Sequence, residues 1–239
     1  MQGGTLILKK NKTKKILLFI VEGQTDRDTL SPILKKIFTS EEILFDIIRY
    51  DITSEKGSSQ TNISKKIVEK IKKYLQKNGL SKSDIIKVIQ ITDTDGAYID
   101  DKYILDLNVN TIQYTLSNIE TNDVQNIKDR NKRKLTVTNQ LISKKVLYGI
   151  EYGIYYMSRN LEHLFHNKVS NLNDEFKTSL SDFFVKKYED DIDGFLDFIC
   201  NSEFSVHGDY NDTWDFIKKD TNSLNRYTNL NLIFENENM

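Results

Sequence analysis

Three short apolar runs, separated by segments of helical period, restrict this chain to few architectures. KILLFIVE (15–22) is dense in branched residues and reads as a strand buried on both faces. Gly23 to Thr25 turn the chain, and Asp26 or Thr25 can cap a helix with Leu30, Ile33, Leu34 and Ile37 as its apolar stripe. FDIIRYDI (45–52) reads as the second strand, and the polar stretch 53–62 as the loop after it. Ile63, Ile67, Ile71, Tyr74 and Leu75 recur at helical spacing, with lysines on the opposite face, until Asn78-Gly79 stops the helix. DIIKVIQITDTDG (84–96) is the third strand.

Strand, helix, strand, helix, strand in that order implies parallel strands joined by right-handed crossovers. In such sheets ligands bind outside the carboxyl ends of the strands. Glu22 and the pair Asp93/Asp95 therefore belong to one edge. Asp-x-Asp at a strand end sends both side chains the same way. Three gathered carboxylates repel by a few kcal/mol for each close pair, about 4 at intermediate dielectric, and a divalent cation removes that cost. Oxygen ligands without His or Cys select Mg²⁺ or Mn²⁺ over Zn²⁺. Glu22 beside the pair suits a general acid or base. The bland alternative is that each acid caps a turn or helix.

The remainder is less regular. Residues 110–120 can form another strand. The basic segment 126–149 is expected to be helical in its second part, and YGIYYMS (152–158) to be a strand followed by a turn and helix at 159–167. Phe176, Leu180, Phe183 and Phe184, then Phe195, Phe198 and Ile199, give 170–200 a helical pattern. The tail 213–234 reads as a helix leading into an extended apolar end. The expected organisation is a core over 1–125 and, over 126–239, a basic segment, a further strand and a helical elaboration packed on that core.

A net charge of -1 gives no global preference for nucleic acid. The single cysteine, Cys200, excludes an internal disulfide and a Cys-rich zinc site, and points to a reducing, cytoplasmic setting. No apolar stretch approaches the roughly 20 residues of a membrane span, and the first residues lack the pattern of a signal peptide. No membrane partner is expected.

Ile20-Val21-Glu22-Gly23-Gln24-Thr25-Asp26, followed by Ile91-Thr92-Asp93-Thr94-Asp95-Gly96, resembles the TOPRIM domain family of primases, topoisomerases, small maturation ribonucleases and OLD-type nucleases. The resemblance covers roughly residues 15 to 120 and extends toward 162. It implies a TOPRIM-like (Rossmann-like) α/β fold, a mostly parallel sheet flanked by helices. It implies Mg²⁺ (or Mn²⁺) on Glu22, Asp93 and Asp95, with Glu22 in acid/base chemistry on phosphodiesters, supported by Gly23, Asp26 and Gly96. Arg159-Asn160-Leu161-Glu162, directly after YGIYYMS, is similar to an element of the OLD-like and phage-defence branch. That likeness implies Glu162 as a further metal carboxylate and Arg159 as a phosphate contact.

What the resemblance implies in function is a nuclease on DNA or RNA, an effector in bacterial anti-phage defence. The alternative is a non-catalytic TOPRIM subunit working with an ATPase or sensor partner; a homo-oligomer is compatible with either. The chain departs from larger relatives: it carries no Walker motif, topoisomerase tyrosine context or primase zinc module. A haloacid-dehalogenase-like phosphatase is disfavoured, because there Asp-x-Asp follows the first strand.

Lys128, Arg130, Lys132, Arg133 and Lys134, with Lys144 and Lys145 beyond, can neutralise phosphates beside the acidic edge. A solvated helix face is the plain alternative. Tyr152, Tyr155 and Tyr156 suit base stacking or packing. Phe195, Phe198, Phe204, Trp214 and Phe216 suit a docking surface or core. His163 and His166 have metal-pair spacing but lack a supporting motif.

Overall fold

A computed structural model describes residues 15–39, 42–47, 52–169 and 172–235. The chain runs through β1 (Ile16–Val21), α1 (Gln24–Ile37), β2 (Glu42–Ile47), α2 (Ile63–Lys77) and β3 (Ile85–Asp93). Three short strands follow, β4 (Ile104–Asp106), β5 (Gln113–Tyr114) and β6 (Ile119–Thr121), then α3 (Val124–Ile142), β7 (Val146–Leu147) and β8 (Ile150–Met157). The rest is α4 (Leu161–His166), α5 (Asp174–Tyr188), α6 (Ile192–Cys200), α7 (Tyr210–Ile217) and α8 (Leu232–Glu235).

The main sheet has the order β2-β1-β3-β8-β7, parallel except for β7, an edge strand antiparallel to β8. The α/β architecture with helices on both faces is compatible with a Rossmann-like fold. Strand periodicity divides the core. Leu17, Phe19 and Val21 pack with Leu30 and Ile33 on one face. Ile16, Leu18 and Ile20 pack with Ile63, Ile67 and Ile71 on the other. Every residue of β1 is buried, which explains why its sequence reads as an unbroken apolar run rather than an alternating one.

β8 lies beside β3 over its full length, from Lys87↔Glu151 to Asp93↔Met157. The division expected at 125/126 therefore runs through one sheet. Residues 110–120 are a β5–β6 hairpin in a separate three-stranded sheet ordered β4-β6-β5. α3 is helical from Val124, so the basic segment is helical throughout its first part as well. β2 starts at Glu42, earlier than expected, and the expected residues 48–51 lie outside the described ones.

In α5 the buried positions are Ser181, Phe184 and Tyr188. Phe176 and Phe183 point to solvent, so the expected stripe is rotated; α1, packed alongside, takes Ser181 through Thr29 at 2.7 Å. α7 begins at Tyr210, and the described part of the tail after it forms no strand. Instead Thr228 bridges Met157 and Ser205, and Asn229 Oδ1 accepts the Tyr156 N–H at 2.8 Å. Phe195, Phe204 and Trp214 are core, not docking surface. Tyr152 and Tyr156 pack too, their hydroxyls donating to Gln90 Oε1 (2.8 Å) and the Thr213 carbonyl (3.0 Å). No helix among the described residues is long and apolar enough to cross a membrane.

Candidate active site at the carboxyl edge

β1 and β3 are direct neighbours, so the residues that follow them meet at one edge. Glu22 bends over the tip of β3, where its Oε1 accepts the Thr92 hydroxyl at 2.6 Å and the Asp93 N–H at 3.2 Å. Two donors on one oxygen fix the carboxylate's orientation. Gly23 directly precedes α1, and its N–H donates to Asp26 Oδ2 at 2.9 Å. Asp26 thus reaches back to the turn from the first turn of the helix, rather than standing in front of it as the cap.

The turns after β3 and β8 are stitched together. Thr94 N–H donates to the Met157 carbonyl (3.0 Å), Asp95 N–H to the Arg159 carbonyl (3.2 Å), and Arg159 N–H to Thr94 Oγ1 (2.9 Å). Asp95 and Arg159 both adopt left-handed backbone, φ 48° and 57°. These are strained conformations for non-glycine residues, about 1 kcal/mol or more each, and the stitching holds them. Gly96 follows at φ 66°, and a Cβ there would lie 2.4 Å from Leu224 Cδ2. This glycine answers both a backbone and a space requirement.

Asp93 is half-buried beside Glu22, Asp26 and Asp95, and its Oδ1, shielded from solvent, has no hydrogen-bond partner among the described residues. Burial, then repulsion from those neighbours, raises its pKa well above the usual carboxylate range. Burial likewise lifts Asp26 to about 6.

Cations interleave with these acids. Lys134, almost fully buried, reaches Asp95 Oδ2 at 2.5 Å. Arg130, one helical turn earlier, donates to the Asp95 carbonyl (2.9 Å) and to the Tyr114 hydroxyl (2.7 Å). Arg159 is 2% exposed; its guanidinium stacks over the Tyr114 ring at 4.7 Å, and its Nη1 has no hydrogen-bond partner among the described residues. Glu162 opens α4 and meets Lys177 at 3.5 Å. Next to it His163 is fully buried, and burial, with Arg159 nearby, lowers its pKa to about 4.

The edge thus collects Glu22, Asp26, Asp93, Asp95, Arg130, Lys134, Arg159 and Glu162. It does not collect the whole basic run. Lys128 pairs with Asp101 at 3.4 Å, while Lys132 and Arg133 face another groove. Lys145 lies over Tyr210 at 4.2 Å. Among the described residues no group of three or more His, Cys, Asp or Glu side chains is arranged to hold a metal ion. The geometry supplies a reason: Lys134 engages Asp95, and Thr92 and the Asp93 N–H engage Glu22.

Two roles escaped the sequence reading. Tyr114 gives no signal, since its role depends on a hairpin folding back over the edge. Lys134 does give one: at helical spacing it shares the stripe of Ile127, Asn131, Val137, Thr138 and Leu141, all buried, where a lysine requires a partner. Comparison of the chain with protein-family models, curated proteins and solved structures finds no match.

Proposed function

We propose that the chain is a TOPRIM-like phosphodiesterase that cuts DNA or RNA with Mg²⁺ or Mn²⁺. One observation carries this reading: Glu22 and Asp93 meet on adjacent strand tips, beside the buried Arg159 with its unpartnered nitrogen. Hard carboxylate oxygens are the ligands that such a cation takes, and Glu22 and Asp93, whose Oδ1 is orphaned, would hold it, with Glu162 at the margin. Bound there, the cation would offset carboxylate repulsion and polarise a phosphoryl oxygen.

The chain's own residues supply the rest. Thr92 and the Asp93 N–H orient Glu22, which is suited to hold or release a proton at Oε2. Arg159, stacked on Tyr114, would place positive charge behind the phosphate. Arg130 fixes Tyr114 and the Asp95 turn. Lys134 neutralises Asp95, so the edge accepts phosphate with less repulsion. A role as an effector of anti-phage defence accompanies this reading.

Incubation of labelled DNA and RNA with the protein and Mg²⁺ or Mn²⁺ tests it. Cleavage by the wild type and its loss in Asp93→Asn and Arg159→Ala would support the assignment; equal behaviour of all three would refute it.

The Asp95–Lys134 pair favours a second reading, a non-catalytic subunit of an ATPase or sensor assembly. A protein already holding its own cation at Asp95 needs no metal there for stability. Co-purification of a stoichiometric partner with an inactive chain would favour it.

A further inference from the structure

The carboxyl edge has a linear order fixed by the sheet: Glu22, then Asp93 and Asp95, then Arg159. A groove of about 410 Å³ lies outside the carboxylate cluster. One wall is the turn Ser58–Thr61, which leads from β2 into α2; the other is α3, through Lys132, Arg133, Thr136 and Val137. The volume falls within the range of small-ligand sites, about 300–1,000 Å³.

The geometry points to this groove as a binding site for one nucleoside-phosphate unit. Three features set the ligand class. Arg133 and Lys132 outnumber the one carboxylate of the lining, Asp129, and Arg133 is oriented by its Nε–H, which donates to the Ser54 carbonyl at 3.3 Å. Planar guanidinium so held suits a phosphate. Most of the lining surface is carbon rather than nitrogen or oxygen, which suits a sugar or base. Ser59, Gln60 and Thr61 offer hydroxyl and amide groups for sugar and base edges. A purely apolar ligand would leave these cations unused, and a bare anion would leave the carbon surface of the lining unused.

The position matters as much as the lining. α3 presents Lys134 to Asp95 and, one residue away around the helix, Arg133 to the groove. Because these two residues are adjacent in the chain, a strand whose phosphate rests at Asp93 and Arg159 would reach the groove with a nearby nucleotide. The same chemistry also fits a free mononucleotide acting as an effector. The strand assignment rests on the phosphodiester reading; the site itself does not.

Fluorescence anisotropy of short labelled DNA and RNA, in EDTA so that no cleavage occurs, measures binding directly. The proteins are wild type, Arg133→Ala, Lys132→Ala/Arg133→Ala, and Lys73→Ala on the outer face of α2 as control. The double variant is expected to bind about tenfold more weakly, and its salt slope to fall by about 1 for each phosphate that the protein no longer neutralises. The control is expected to bind like wild type. Unlabelled AMP and UMP form the second arm. Competition by them at concentrations that fill the wild type but not the double variant assigns the site to a free nucleotide; no competition assigns it to the strand. Oligonucleotide and mononucleotide binding that is absent from the wild type, or unchanged in the double variant, overturns the inference. Weakened binding in the double variant of a protein that never cleaves would leave the groove standing and remove the nuclease reading.

Discussion

Lys134 Nζ meets Asp95 Oδ2 at 2.5 Å, and the lysine side chain is 2% exposed while the aspartate side chain is 30% exposed. The pair is asymmetric, and that asymmetry is testable. Asp95→Asn removes the negative charge facing a buried ammonium and is expected to cost on the order of 3 kcal/mol, within the range for breaking a buried pair. Lys134→Met leaves an aspartate that water can reach and is expected to cost about 1 kcal/mol. Urea denaturation of both variants checks the order; an equal or reversed order contradicts the burial assignment.

Gly96→Ala is expected to lose about 3 kcal/mol, combining left-handed backbone strain with the clash against Leu224. A loss below about 1 kcal/mol in the same denaturation experiment would show that the Asp95–Gly96 turn relaxes freely.

His163 makes stability depend on pH. Its ordinary value of 6.5 is lowered to about 4 in the folded chain by burial, with Arg159 adding to it. Between those values the unfolded chain holds the extra proton, so stability falls as pH drops from 6.5 to 4, by at most about 3 kcal/mol. Asp26, raised to about 6, pulls the opposite way over nearly the same interval. Comparison of wild type with His163→Leu isolates the histidine: wild type should lose more stability than the variant across that window. Parallel pH profiles would contradict the assignment.

Much of the frame was legible because burial on both faces writes itself into β1 and β3 as continuous branched runs, and α2 repeats Ile63, Ile67 and Ile71 at a strict helical period. Parallel order alone then places Glu22 and Asp93 at one edge. The β5–β6 hairpin was not legible as such, since Gln113–Tyr114 and Ile119–Thr121 are too short to show alternation. The rotation of α5 was hidden because aromatic residues stand on both its buried and its solvent side. In the site, the basic run looked uniform; only the phase of α3 separates Arg130 and Lys134, turned to Asp95, from Lys132 and Arg133, turned to the groove. Arg159 stood out as part of a motif, but its stacking on Tyr114 depends on the fold.

The central claim is that Glu22 is a working acid/base group rather than a turn-former. Glu22→Gln decides it, because the amide oxygen still accepts the Thr92 hydroxyl and Asp93 N–H, so the fold should survive. The decisive measurement is the rate of Mg²⁺-dependent cleavage of labelled DNA and RNA by wild type and this variant at equal thermal stability. A wild type that cuts and a variant slowed by about 10² or more is the predicted result; a variant as fast as wild type, or a wild type that cuts neither substrate, would contradict it.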